Sequence, residues 1–247
     1  MITLIGTGHV FDIGARVREE IRRRAPQVVA VELDPPRYHA LRNKGAQGEA
    51  RKDAPLFYRM LANFQTRIAN DYGVEAGDEM LAAANEAQAL AVPLALIDKD
   101  AQQTFQRLLS EMRFGEKMRL AGSALVGLAL PGKNVESQVN EMQENYAAYF
   151  EEMGKRFPTL KRVLLDERNE HMAKALLEIA KTNERVVAIV GDGHVDGMLP
   201  IILAAGAQVE SVRLKDLRQK EAPAVGTNVA HVSFDVPAQR PPERPPP

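Results

Sequence analysis

The chain has 247 residues, 45% of them hydrophobic, with 32 Lys plus Arg against 33 Asp plus Glu and no cysteine. This charge balance excludes a strongly basic nucleic-acid binder, because counterion release needs a clustered surplus of cations. Without cysteine there are no disulfides, thiolate zinc sites or thiol nucleophiles, so any metal must sit on His, carboxylate or water.

The opening residues MITLIGTGH lack the positive n-region and small-residue cleavage site of a signal peptide. Ile2–Ile5 is a short apolar run that reads as a buried strand feeding the turn Gly6-Thr7-Gly8-His9. Asp12 then suits the N-cap of a helix that carries Val17 and Ile21 on one face and Arg22, Arg23 and Arg24 in its last turn, where the helix dipole favours cations. Pro26 ends that helix. Val28–Leu33 is a continuous apolar run with a single acid, the pattern of a parallel strand covered on both faces. The unit recurs. An Ala-rich helix from Asp78 to Leu90 leads to a strand at Ala91–Ile97, and a helix from about Leu164 to Lys181 leads to a strand at Arg185–Val190.

Between residues 102 and 157 the pattern turns to helix after helix, a helical insertion in the middle of the chain. Its most apolar run, Leu120–Leu130, is interrupted by Gly122 and Ser123 and is too short to span a bilayer. It reads either as a buried core helix or as an exposed one that needs a partner, which would make it a homodimer interface. Late strands are expected at Ala207–Leu214 and Asn228–Val236, and the closing PAQRPPERPPP reads as a disordered, polyproline-like tail. The expected fold is a single α/β domain over residues 1–236, a mainly parallel central sheet flanked by helices, with the tail at 237–247. The expected setting is the cytoplasm, with no membrane association and no nucleic-acid partner.

One motif occurs twice: LIGTGHV at Leu4–Val10 and IVGDGHV at Ile189–Val195. In an open parallel sheet, ligands bind at the carboxyl ends of strands, and glycine there lets the chain turn sharply and approach a ligand. A single histidine in such a turn is more often a capping or packing residue. The same residue in two equivalent turns favours a shared role, with His9 and His194 meeting as a two-imidazole site. Glu32 stands near the end of an otherwise apolar strand, VVAVELD, and a buried acid must be paired, hydrogen-bonded or metal-bound. Asp34 is set to cap the next helix, which opens with Pro35 and Pro36. Of Asp98 and Asp100, one caps the helix that begins near Gln102 and the other is a site residue; Asp98, at the strand end, joins the metal set. Asp78 and Glu79 have the simpler reading of cap and dipole complement.

Two neutral imidazoles with one or two carboxylates suit a divalent metal such as Mn, Co or Zn, whose natural chemistry is hydrolysis. His9, His194, Glu32 and Asp98 are the expected ligands, with Glu32 either ligand or general base. Arg168, between Glu167 and Asn169, is either a surface ion-pair residue or an arginine aimed at the crevice to bind a carboxylate or an oxyanion. A dinucleotide fingerprint is only half present. Gly6-x-Gly8 follows a strand and Glu32 ends the next, but Phe11 fills the third glycine position and Asp192 puts an anion in the second copy of the turn.

At GTGHV with VVAVELDPPRYHAL, AGDEML, LALIDKDAQQTFQR, LLDERNEHMA and VVAIVGDGHVDGM, the chain resembles the TraB family of pheromone-shutdown, PrgY-like proteins. That family is related to the Tiki peptidases and more distantly to the erythromycin-esterase and ChaN-like superfamily. The stretches cover most of residues 1–205 in the family's order, and the paired Gly-x-x-His motifs, Gly6–His9 and Gly191–His194, match the superfamily's hallmark. The resemblance implies a metal-dependent hydrolase-like site, with the family's acid matched by Glu32 and its arginine by Arg168. In the Tiki branch the implied activity is peptide cleavage supported by Mn or Co; in the pheromone-shutdown branch it is reduced activity of a secreted peptide signal. Many microbial members carry membrane helices after the conserved domain, whereas here only late strands and the Pro-rich tail follow. Two functions are therefore expected to compete: a divalent-metal-dependent, peptidase-like hydrolase of a peptide or small molecule, and a non-catalytic protein of the same family that binds a peptide or a small ligand such as a tetrapyrrole.

Overall fold

Five parallel strands form one sheet in the computed structural model, which describes residues 1–8, 13–43, 77–129, 151–152 and 154–219. In chain order they are β1 (Ile2–Thr7), β2 (Val28–Val31), β3 (Leu94–Leu96), β4 (Val186–Gly191) and β5 (Val209–Val212), and across the sheet they run β3-β2-β4-β1-β5. Every residue of β1 and β2 is buried, as continuous apolar runs covered on both faces require. The register puts Thr7 opposite Gly191, and Val31 opposite both Ile189 and Leu96, so the carboxyl ends of four neighbouring strands share one rim.

The two-residue period of the strands divides the core into two layers. Ile5, Val29, Val31, Val187 and Ile189 point to α1 (Gly14–Arg24), through Val17 and Ile21. They also meet α3 (Asp78–Ala89), through Met80, Ala83 and Ala87. Ile2, Leu4, Ala30, Val186, Ala188 and Val190 point the other way, to Met172, Ala173 and Leu176 of α7 (Glu167–Ala180) and to Val195, Met198 and Ile202 of α8 (Asp192–Ala204). Each fully buried aliphatic side chain contributes about 1.5–3 kcal/mol. The chain leaves β1 and β2 toward one layer and β3 and β4 toward the other. Neighbours in the sheet therefore diverge at their carboxyl ends, which opens a crevice there.

The remaining helices are α2 (Pro35–Arg42), α4 (Ala101–Glu111), α5 (Phe114–Ala129), α6 (Pro158–Lys161) and α9 (Leu214–Gln219). A third small core joins Phe105, Leu108 and Met112 to Val163, with Leu120, Leu160 and Leu164 packed against it. The expected helical middle is helical through α4 and α5, whereas residues 130–150 lie outside the described residues. Asp12, the strand expected at Asn228–Val236 and the Pro-rich end also lie outside them. The strand expected over Ala91–Ile97 is confined to Leu94–Leu96, because Ala91 stands at positive φ and Pro93 precedes the strand. Among the described residues no helix is long and apolar enough to cross a membrane.

The helix expected from Leu164 begins earlier, at Pro158, and is not regular. Arg162–Asp166 is a π-helical turn between α6 and α7. Such single-turn bulges change the phase of the helix that follows, and they occur often at functional sites.

Candidate functional site

Glu32 is the first residue after β2, Asp98 follows β3 by two, and His194 stands in the first turn of α8, which leaves β4 directly. Arg168 enters the same crevice from the first turn of α7, just past the π-helical turn. Glu32, Asp98 and Arg168 are in one hydrogen-bonded network, and His194 lies against Glu32. Arg168 binds Asp98 in a fork, Nε to Oδ1 at 3.0 Å and Nη2 to Oδ2 at 2.6 Å, and also donates through Nη2 to Glu32 Oε1. Its Nη1 donates to the Leu164 carbonyl of the π-helical turn at 3.1 Å. A guanidinium carries five N–H groups, so Arg168 keeps only a single Nη1–H outside these contacts.

Glu32 is buried and held on both oxygens. Oε1 faces Arg168 and lies 3.2 Å from His194 Nε2, while Oε2 accepts the Gly191 N–H at 2.6 Å. Gly191 immediately precedes α8, so the carboxylate sits at the positive end of that helix. Burial pushes the Glu32 carboxyl up, but the His194 imidazole, the Arg168 charge and the Gly191 N–H together outweigh it and hold the group well below the usual carboxylate range. Asp98 follows the same logic: burial raises it, the Arg168 bond and charge lower it, and the balance is downward. Arg168 is pushed up despite its burial by Glu32 and Asp98, and it stays charged.

The network continues outward. Asp98 also accepts from Arg37 Nη2 at 2.5 Å and from the Lys99 N–H at 2.8 Å. Arg37 Nε reaches Asp34 at 3.0 Å; Asp34 caps α2 through the Arg37 N–H at 2.8 Å and takes the Ala101 N–H at 2.7 Å. The cap of α4 is Asp100, which accepts the Gln103 N–H at 2.7 Å, so Asp98 is the member of that pair in the crevice. In the other direction, His194 Nδ1 is 2.6 Å from Asn169 Oδ1.

Three glycines are explained by what fills the space of a missing Cβ. A Cβ on Gly6 would lie 2.2 Å from Asp192 Oδ1, and one on Gly197 would lie 2.1 Å from Asn169 Nδ2. One on Gly191 would press on Glu32 Oε2 at 3.4 Å. Gly6 is thus small to admit the carboxylate of Asp192, itself held by Arg213 and by the Leu214 N–H at 2.9 Å. That buried anion beside Gly6 further weakens the dinucleotide reading, since a phosphate there would meet like charge.

The crevice therefore brings together Glu32, Asp98, Arg168 and His194. His9 lies outside the described residues; the strand that leads to it, β1, ends beside Gly191 at the same rim. The network also contains Asn169, Arg37 and Asp34, of which only Asp34 was given a role from sequence, as a cap. The available signals were the adjacency of Asn169 to Arg168 and the placement of Arg37 three residues after a helix cap.

The Glu32–His194 spacing is compatible with two ligands of one divalent ion and with a direct N–H···O contact. Ligands bound at about 2.1 Å and roughly 90–110° apart stand roughly 3.0–3.4 Å from each other, and Glu32 Oε1 and His194 Nε2 are 3.2 Å apart. Asn169 on the far ring nitrogen is the kind of partner that orients a metal-binding histidine. Asp98 fits less well, because each of its oxygens already accepts two donors, against one guanidinium or backbone donor on each oxygen of Glu32. Among the described residues, no group of three His, Asp or Glu side chains stands close enough to hold a metal ion together.

The model of the TraB/PrgY/gumN family matches residues 1–210. The chain is also similar to the uncharacterized protein MJ1365 of Methanocaldococcus jannaschii, with 32% identity over 231 residues. That alignment takes in 89% of this chain and 58% of the relative, so the chain spans little more than half of the relative's length.

Proposed function

The chain belongs to the TraB/PrgY/gumN family, and from that premise we propose that the crevice at the ends of β2 and β4 is the site of a divalent-metal-dependent hydrolase acting on peptide bonds. The observation that carries the reading is the buried pair of Glu32 Oε1 and His194 Nε2, 3.2 Å apart and each backed by a second buried polar group. Glu32 and His194 would hold the ion, with His9 as the further ligand from the matching turn after β1. Manganese, cobalt or zinc there would polarise a substrate carbonyl and lower the pKa of bound water.

The chain's own residues prepare that chemistry. Arg168 keeps Glu32 ionised and fixes which oxygen faces His194. Asp98 holds the Arg168 guanidinium in the required plane, and Arg37 with Asp34 holds Asp98. Arg168 and Asp98 are thus positioning residues, since their polar atoms are engaged by each other, by Glu32 and Arg37, and by the Leu164 and Lys99 backbone. The test is metal analysis of wild type, His9→Ala and His194→Ala, together with cleavage of a peptide library with and without Mn²⁺ or Co²⁺. Metal retention and metal-stimulated cleavage in wild type, both lost in the variants, is the expected result. Equal metal content in all three with no stimulated cleavage overturns it.

The near-saturation of Arg168 favours a second reading, a protein that binds a peptide or small ligand without turnover. A network in which four of the five guanidinium N–H groups already have acceptors is also how a rigid binding scaffold is built. Ligand recovered intact by mass spectrometry after prolonged incubation distinguishes it.

A further inference from the structure

We propose that Asn169, seated by Gly197, is a positioning residue that fixes the His194 imidazole with its proton on Nδ1, so that Nε2 turns a lone pair toward the point faced by Glu32 Oε1. Asn169 and His194 are both buried, and Asn169 Oδ1 stands 2.6 Å from His194 Nδ1. A neutral imidazole carries one N–H. If Nδ1–H donates to the amide oxygen, Nε2 has none to give to Glu32, and two acceptors are left 3.2 Å apart. A metal ion between them reconciles that geometry, and so does a second proton on Nε2, which would make the ring an imidazolium donating to both Asn169 Oδ1 and Glu32 Oε1. The opposite arrangement, with the amide turned over and Nε2–H donating to Glu32, closes the site with an ordinary hydrogen bond and leaves a cation no place.

Two features hold the amide where it is. Gly197 lies one turn beyond His194 on α8, and a Cβ there would come within 2.1 Å of Asn169 Nδ2 and 2.8 Å of its Cγ, so the glycine is the seat of this side chain. The π-helical turn Arg162–Asp166 sets the phase of α7. With that phase, two consecutive residues about 100° apart both reach the crevice, Arg168 on Glu32 and Asn169 on His194. One helix thereby orients both members of the pair.

The metal clause of this inference rests on the hydrolase reading, whereas the tautomer does not, and the experiment separates them. Long-range ¹H–¹⁵N correlation spectra of His194 would be recorded on the metal-stripped full chain, in wild type, Asn169→Leu, Asn169→Asp and Gly197→Ala. Co²⁺ titration calorimetry would follow on each. Wild type and Asn169→Asp are expected to show the neutral ring protonated on Nδ1. Asn169→Leu and Gly197→Ala are expected to move toward the Nε2–H form and to bind Co²⁺ about 10–100-fold more weakly. Restoration by Asp, which keeps the acceptor, excludes a folding defect as the cause. A wild-type ring protonated on Nε2, or a tautomer unmoved in Asn169→Leu, overturns the proposal. An Nδ1–H ring in a wild type that binds no Co²⁺ upholds the positioning role and removes the metal reading.

Discussion

Two arginine–carboxylate networks meet at the start of α7, one on each side of the bond between Glu167 and Arg168. The inner one joins Arg168 to Glu32 and Asp98; the outer one joins Arg107 and Arg162 to Glu111 and Glu167 on the surface of α4 and the π-helical turn. The chemistry is the same and the setting is not. The Arg168 side chain is 16% exposed, against 48% for Arg107 and 43% for Arg162. Water and salt screen the outer pairs, whereas each inner carboxylate depends on its arginine for charge compensation. The comparison teaches that burial, not the number of ion pairs, decides which arginine the molecule cannot spare.

The largest effect should come from Arg168→Met, which leaves Glu32 and Asp98 buried without their main counter-charge. Urea denaturation is expected to show a loss of about 3–5 kcal/mol. A loss near zero would mean that water reaches both acids. Next is Gly6→Ala, where the added methyl must displace the Asp192 carboxylate; about 1–3 kcal/mol of destabilisation by the same assay is expected for such overpacking.

Acid stability sharpens the contrast further. Glu32 and Asp98 are both held below their ordinary values of 4.5 and 3.8. A depressed carboxyl contributes stability that is complete above its unfolded value and is lost as pH falls through the lower, folded one. Wild type should therefore keep this contribution down to the acid side of pH 4, and Arg168→Met should begin to unfold at a higher pH, followed by circular dichroism during acid titration. The smallest effect belongs to Arg162→Ala, whose urea midpoint should not move measurably and whose salt dependence should be the only trace.

Much of this arrangement was legible in the sequence because it is written in strand-scale patterns. An acid in the apolar run VVAVELD, the Gly191–His194 motif after an apolar strand, and the order of strands and helices report the rim directly, whereas His9 of the matching motif lies outside the described residues. What escaped was set by helix phase and by capping ambiguity. Asn169 is polar beside a polar arginine, and which of the two faces the sheet depends on a π-helical turn that no periodicity within Leu164–Lys181 marks. Asp98 and Asp100 both suit an N-cap, and only the tertiary contact with Arg168 separates them. Arg37 looked like an ordinary first-turn residue, since its reach to Asp98 crosses from β2 to β3.

The most direct measurement is anomalous scattering from crystals of the full chain grown with Mn²⁺ or Co²⁺. A single peak bonded to Glu32 Oε1, His194 Nε2 and an imidazole from the turn after β1 is the predicted result. Diffraction that shows the ion elsewhere on the molecule, with the carboxylate and ring joined by a direct hydrogen bond, would contradict the account.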